Sequence, residues 1–312
     1  MSRPRVYLTV TIDTECDKGA GWKVARPLAF EAITRGVTLR LAPLFRAYGA
    51  RATYLLSPEV MRHEPSVEAL RRVEGESELG THLHGELAEP GAFEPDVTDA
   101  FQRDYPPDVE RAKLESLTAS FRSAFGRAPR SFRAGRFGIG RETVPILEDL
   151  GYAVESSVTP FMDWAPNGAP GLAFLDAPTQ PYHPDPREPG RPGASPMWEV
   201  PVTIRPNALG RLPLVGRRLE PRWLRPTRGT ERGIVEVAKD EIAAAAAAAP
   251  ARPVILTCMF HNVEVLPGTS PYAATESQAI ALMGRLRALM DFAAREGIRT
   301  IGLSDVPEVL AT

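Results

Sequence analysis

From Arg5 to Ile12 the chain reads RVYLTVTI, with side chains alternating in a period of two. That period predicts a β-strand. Comparable runs predict strands at 51–57, 77–83, 130–134, 152–158, 197–203, 253–260 and 298–303. Helix-length segments separate most of them. The segment 29–48 stops at Gly49, 107–125 at Gly126 and 141–150 at Gly151, each a glycine where a left-handed cap is wanted. Two later helices are predicted at 231–249, where an alanine run ends at Pro250, and at 274–296, ending at Gly297. The alanine run reads as a plain surface helix. Strand and helix in this alternation predict parallel strands with crossover helices, closed into a barrel that carries its working residues at the C-terminal strand ends. The rhythm breaks between about 159 and 232, a segment holding PTQPYHPDPREPGRP and the predicted strand 197–203. We read it as an excursion over the barrel mouth, so that residues 1–312 form a single domain.

Composition narrows the class. The chain has 312 residues and 34.0 kDa, enough for a large core, and its formal net charge of −2 gives no push toward nucleic acid. Two cysteines, Cys16 and Cys258, make no disulfide framework. The opening MSRPRVYLTVTIDTE runs from a short apolar stretch straight into acids, unlike a signal peptide, and no segment has the roughly 18 apolar residues of a membrane span. A cytoplasmic protein is expected.

The chemistry gathers at the predicted strand ends. The third ends in ELGTHLHGE, where His82 and His84 stand two apart and project to one side if the backbone stays extended. Two imidazoles so placed suit a divalent metal such as zinc. Glu86, on the same parity, serves as a further ligand or orients one of the histidines. The first strand ends in TIDTE, which places Asp13 and Glu15 by the same logic; the fourth ends in FRAGRFG, with Arg133 and Arg136; the penultimate ends in CMFHNVE, with His261 and then Glu264. In a parallel barrel these ends meet on one face. A metal with an open position activates water, a carboxylate takes its proton, a histidine protonates the leaving group, and an arginine keeps the carboxylate ionised. His63 and His183 lie in loop-like sequence and read as ordinary surface residues, and Cys16 as a small semi-buried one.

Taken in order, TIDTE, ELGTHLHGE, FRAGRFG, FMDW (Asp163 and Trp164) and ILTCMFH resemble the motifs of the polysaccharide deacetylases of carbohydrate esterase family 4. The resemblance implies a distorted (β/α)7-8 barrel of the NodB type and a metal-dependent hydrolase that removes an acyl group, N-acetyl first among them, from a carbohydrate or glycan-assembly intermediate. It implies Asp13 as the catalytic base, Arg133 as the group that braces it, His261 as the general acid and His82 as a metal ligand. Two positions depart from the pattern. Thr14 stands where a second aspartate is usual, and Glu86 where the second histidine is usual. Glu15 and His84 are the replacements expected, giving a zinc site of Glu15, His82 and His84 with Glu86 behind one of them or in its place. FHNVEVLPGTSPY together with D-T-E and H-L-H is similar to a deacetylase-like branch associated with exopolysaccharide synthesis.

Two other readings compete. An amidohydrolase-type barrel also uses an H-x-H, but on its first strand. A deacetylase-like barrel that has lost a metal ligand would bind glycans or regulate their assembly without hydrolysis. Residues 205–232 carry eight arginines against two glutamates, interleaved with leucines and Trp223. They read as a flap whose Arg217, Arg218, Arg222 and Arg225 meet an anionic surface, either the membrane itself or a lipid-linked glycan.

Overall fold

A computed structural model describes residues 4–24, 26–91, 101–207 and 220–311. Eight parallel strands form one curled sheet: β1 (Val6–Thr14), β2 (Thr53–Leu56), β3 (Glu78–Leu83), β4 (Ser131–Ala134), β5 (Val154–Glu155), β6 (Trp198–Glu199), β9 (Val254–His261) and β10 (Arg299–Thr300). The remaining two, β7 (Ile204–Arg205) and β8 (Arg222–Trp223), pair as an antiparallel ribbon. The sheet runs from β1 through β2, β3, β4 and β5 to β6. β9 lies along the other edge of β1, in register from Val6 opposite Val254 to Asp13 opposite His261.

The crossovers are helical. A wide-turned π-type helix, Ala32–Leu41, leads into α1 (Ala42–Ala47). Between β2 and β3 run α2 (Pro58–Arg62) and α3 (Glu64–Glu74), in a stretch where the sequence reading named no helix. The others are α4 (Pro107–Phe125), α5 (Thr143–Asp149), α6 (Glu231–Ala248), α7 (Glu276–Arg295) and α8 (Val306–Leu310). The curled parallel sheet with its outer helices is the distorted (β/α) barrel expected from the sequence. Among the described residues no helix is long and apolar enough to cross a membrane.

Alternation along the strands sorts the core. Leu8, Val10 and Ile12 of β1, Tyr54 and Leu56 of β2, and Leu256, Cys258 and Phe260 of β9 face the helices and share one apolar cluster with them. Residues of opposite parity face the barrel interior, and their character changes with height. Near the N-terminal strand ends Tyr7, Leu55, Val154, Val200 and Ile255 pack with Val306 and Val309 of α8, which plugs the floor. Above them sit hydroxyls: Thr9 and Thr11 donate to the carbonyls of Leu256 and Cys258, and Arg133 Nη2 donates to Thr11 Oγ1. At the C-terminal ends the interior is lined by ionisable groups. Gly80 keeps the middle of β3 narrow. A Cβ there would stand 2.2 Å from Ser131 Oγ, 2.7 Å from the Ser131 carbonyl oxygen and 2.8 Å from Leu55 Cδ2.

Between β6 and β9 the ladder is replaced by single contacts. The Thr203 amide donates to the Thr257 carbonyl at 3.0 Å, and Thr203 Oγ1 accepts from the Thr257 amide at 2.8 Å. The Gln180 side chain bonds both backbone groups of Ile255, and the Leu224 carbonyl accepts from the Met259 amide. The excursion therefore supplies the seam that closes the barrel.

Candidate metal centre and catalytic groups

The C-terminal strand ends bring Asp13, Glu15, Arg133, His82, His84 and His261 to one buried place. His82 is the fifth residue of β3, and His84 follows with extended backbone before the chain turns at Gly85–Leu87. Both imidazoles therefore project inward on one parity. Glu15 lies just past the end of β1, and there the Asn262 side chain takes over the pairing. Its Oδ1 accepts from the Glu15 amide at 2.8 Å and its Nδ2 donates to the Glu15 carbonyl at 2.9 Å.

Glu15, His82 and His84 offer three ligand atoms that all lie within 4.8 Å of one another. Glu15 Oε1 is 3.3 Å from His82 Nε2 and 3.1 Å from His84 Nε2. The far nitrogens of both rings are committed. His82 Nδ1 lies 3.0 Å from the Arg133 carbonyl oxygen, which can only accept, so Nδ1 carries the proton. His84 Nδ1 lies 3.2 Å from Glu86 Oε1, with the same consequence when that carboxylate is ionised. In the form that binds a metal, each ring turns an Nε2 lone pair toward the Glu15 carboxylate oxygen. Three electron-rich atoms in one buried spot call for a cation, and two imidazoles with one carboxylate are a donor set that suits a zinc-like dication. The group could hold a metal ion. Glu86 stands outside it, behind His84, where Arg136 Nη2 holds it at 2.7 Å.

Beside this cluster, Arg133 Nη1 bonds Asp13 Oδ1 at 2.7 Å while its Nε donates to the Ser156 carbonyl. Burial alone would raise the Asp13 pKa; the guanidinium and the two nearby histidines outweigh it and hold the carboxyl below its ordinary value. His261 stands beside Asp13 on the neighbouring strand β9, with Nε2 3.9 Å from Asp13 Oδ2 and 3.9 Å from Glu15 Oε1. Its Nδ1 bonds Glu264 Oε1 at 2.7 Å. Glu264 in turn takes Arg225 Nη2 at 2.8 Å and the Thr227 hydroxyl, and despite burial these partners with His261 bring its pKa down to about 2.

Glu264 follows one turn after His261 and was named in the sequence only as its neighbour. Its function as the carboxylate behind that ring becomes visible when the Asn262–Glu264 turn is seen folding back. Lys18 was missed altogether. It lies three residues after Glu15, is buried, and its Nζ reaches Glu15 Oε2 at 2.5 Å. Burial would raise the Glu15 pKa, yet Lys18 and His84 keep it well below the ordinary value. Every carboxylate of the site thus has a cation of its own: Asp13 with Arg133, Glu15 with Lys18, Glu86 with Arg136, Glu264 with Arg225.

The space above these groups is a cavity of about 620 Å³, walled by Trp22 and Tyr272 on the side of His261 and bounded also by Phe137 and Trp164. Trp22 meets the His261 ring edge-on at 4.9 Å and Tyr272 at 5.0 Å. Four non-glycine residues among those described have positive φ: Trp22, Arg136, Phe137 and Phe161. The first three line this cavity and Phe161 packs beside Phe137, so the backbone strain collects where a ligand would sit.

Other sequence-predicted positions fall elsewhere. Asp163 is exposed and caps its own turn by accepting from the Ala165 amide, whereas Trp164 lines the cavity. Cys16 is fully buried, its backbone amide bonded to Glu59, and burial pushes its thiol up. His63 stacks on Phe30 at 4.1 Å and His183 packs at a tilt against Trp198 at 4.0 Å, so both are packed and not simply surface residues. Of the arginine-rich segment, Arg217 and Arg218 lie outside the described residues; Arg222 is paired with Asp240 and Arg225 with Glu264.

Fold and site together define a class: a parallel (β/α) barrel with a candidate Glu/His/His metal centre at its C-terminal face, the fold of the polysaccharide deacetylases. Among solved structures, a candidate glycoside hydrolase/deacetylase from Parabacteroides distasonis aligns with 98% of this chain and 71% of its own, at 12% identity and a TM-score of 0.67. A candidate polysaccharide deacetylase from Mycobacterium smegmatis aligns over 99% and 91%, at 14% identity and TM-score 0.54. Puue allantoinase aligns over 98% and 90%, at 15% identity and TM-score 0.58. At these identities the likeness is one of fold. No family model and no curated protein sequence matches the chain.

Proposed function

We propose that the protein is a metal-dependent hydrolase that removes an acyl group, most simply N-acetyl, from a carbohydrate or an intermediate of glycan assembly. The observation that carries this reading is the convergence of His82 Nε2, His84 Nε2 and Glu15 Oε1, with both Nδ1 groups committed elsewhere, beside an arginine-held aspartate and a glutamate-held histidine. In this reading Glu15, His82 and His84 hold the metal and Glu86 orients His84. When bound, the metal polarises the acyl carbonyl and lowers the pKa of water. Asp13, kept ionised by Arg133, takes the proton of the attacking water as oxygen joins the carbonyl carbon. His261, oriented by the Nδ1 contact to Glu264, gives a proton to the departing nitrogen as the C–N bond breaks. The products are a carboxylate and a free amine.

The aromatic walls suit a sugar ring, which stacks its apolar face on Trp22 or Trp164. Metal analysis of the wild type and of His82→Ala tests the centre: about one zinc-class equivalent in the first and little in the second is expected. Asp13→Asn and His261→Ala should each lower turnover of an N-acetylated sugar by about 100-fold or more with the fold retained. Metal content near zero in both wild type and His82→Ala would overturn the reading and favour a glycan-binding protein without hydrolysis.

A further inference from the structure

Arg225 and Tyr272 line the cavity above Glu15, His82 and His84 and also a second one of about 510 Å³, so the two adjoin. The second cavity is walled by the end of the arginine-rich segment and the first turns of α6, with Arg222, Trp223, Arg225 and Arg228 facing it. Glu220 is the carboxylate on this wall among the described residues. Arg222 and Arg225 are committed to Asp240 and Glu264. Arg228 differs. It is exposed, its guanidinium lies 5.4 Å from the centre of the Tyr272 ring, and no carboxylate of the described residues is within ion-pair distance of it. Arg222 Nε is buried and finds no acceptor among the described residues.

Charge in the adjoining cavity points the same way. Its lining holds three carboxylates, Asp13, Glu15 and Glu86, against four basic side chains, Lys18, Lys23, Arg136 and Arg225. Because each of those carboxylates already has its cation, a bound dication would leave the cleft strongly positive. A neutral sugar gains nothing from such a field; an anionic one is drawn in and held.

We propose that the second cavity is a subsite for an anionic group carried by the substrate, a phosphate or a carboxylate, and that Arg228, braced on Tyr272, reads it. The planar guanidinium offers paired donors to two oxygens, and stacking on the ring fixes its orientation at small entropic cost. The substrate class is then an acidic or phosphorylated acyl amino sugar. This rests on the metal cavity being where hydrolysis occurs.

The test is calorimetric binding of N-acetylglucosamine, N-acetylglucosamine 1-phosphate and N-acetylmuramic acid to the full-length protein at low salt, metal-free and zinc-loaded. At least one charged sugar should bind about tenfold or more tightly than the neutral one, and which one does so separates phosphate from carboxylate. Arg228→Ala should remove that preference, Arg228→Lys should keep part of it, and Arg232→Ala, on the exposed side of α6, should keep all of it. Equal affinity for the three sugars, or a preference that survives Arg228→Ala, overturns the subsite. A preference seen only with zinc and indifferent to Arg228 also overturns it, by placing the anion on the metal, and leaves the hydrolase reading standing. Failure to load zinc overturns the hydrolase reading, while an Arg228-dependent preference in the metal-free protein still supports the subsite.

Discussion

A carboxylate removed from water tends to take up a proton, and this site keeps four of them ionised by giving each a cation at hydrogen-bond distance. The pair most exposed to test is Glu86 with Arg136. Glu86 touches no metal-facing nitrogen, only His84 Nδ1. Glu86→Gln should therefore weaken zinc binding about 10- to 100-fold, as a competitive chelator titration would show. His84 makes a second prediction. Burial would lower its pKa, but Glu15 and Glu86 push it up to about 9 in the metal-free protein. The shift is upward from the ordinary value near 6.5, so the protonated ring stabilises the metal-free fold fully below that value, and the contribution is lost as pH rises through about 9. Metal competes with that proton. Zinc uptake at pH 7 should release about one proton from His84, read from binding heats in buffers of different ionisation enthalpy, and affinity should climb with pH until about 9. Heats independent of the buffer would show that His84 is not a ligand.

At the scale of the elements, strand parity places the chemistry, and Gly80 allows it. Gly80→Ala would drive a methyl group against Leu55 and into the Ser131 backbone oxygen, and the second contact is one that no side-chain rotation relieves. The expected cost is about 1–3 kcal/mol, visible in denaturant unfolding, together with weaker metal binding as β3 moves away from β4. Ser131→Ala should fail to rescue it, since the carbonyl contact remains. Strand parity was also what the sequence disclosed best. The alternation in RVYLTVTI and the H-x-H after ELGT need no partner to be read, and they located the strand ends that carry Asp13, Glu15, His82, His84, Arg133 and His261. Lys18 gave no such signal, because it follows β1 in irregular backbone and its burial depends on a contact with the Thr269 carbonyl far along the chain. Glu86 shared the parity of the histidines in sequence but left it in space when the chain turned at Gly85. The helices between 58 and 74 went unnamed because Pro58 and Pro65 punctuate them, although proline in the first turn is compatible with a helix start.

For the whole molecule, the barrel is only as continuous as its seam. Between β6 and β9 closure relies on Thr203, Gln180 and Leu224, where elsewhere a ladder would run. Amides of 203 and 224 should exchange with solvent well before those of β1 and β9, a difference that hydrogen-exchange mass spectrometry resolves by peptide. Uniform protection around the barrel would contradict this. The opposite edge has another consequence. β1 is the longest strand and most of one flank of it is covered by β9, with Glu15 and Asn262 pairing 247 positions apart in the chain. A ribosome adding roughly 5–20 residues per second delivers that partner some 10–50 s after β1 has emerged. During that interval the nascent chain carries a long strand with an open edge and an apolar face of Leu8, Val10 and Ile12, the kind of surface that recruits other chains. Biosynthesis of this protein thus contains a built-in delay during which β1 must be shielded, and it ends only when the strand bearing His261 arrives.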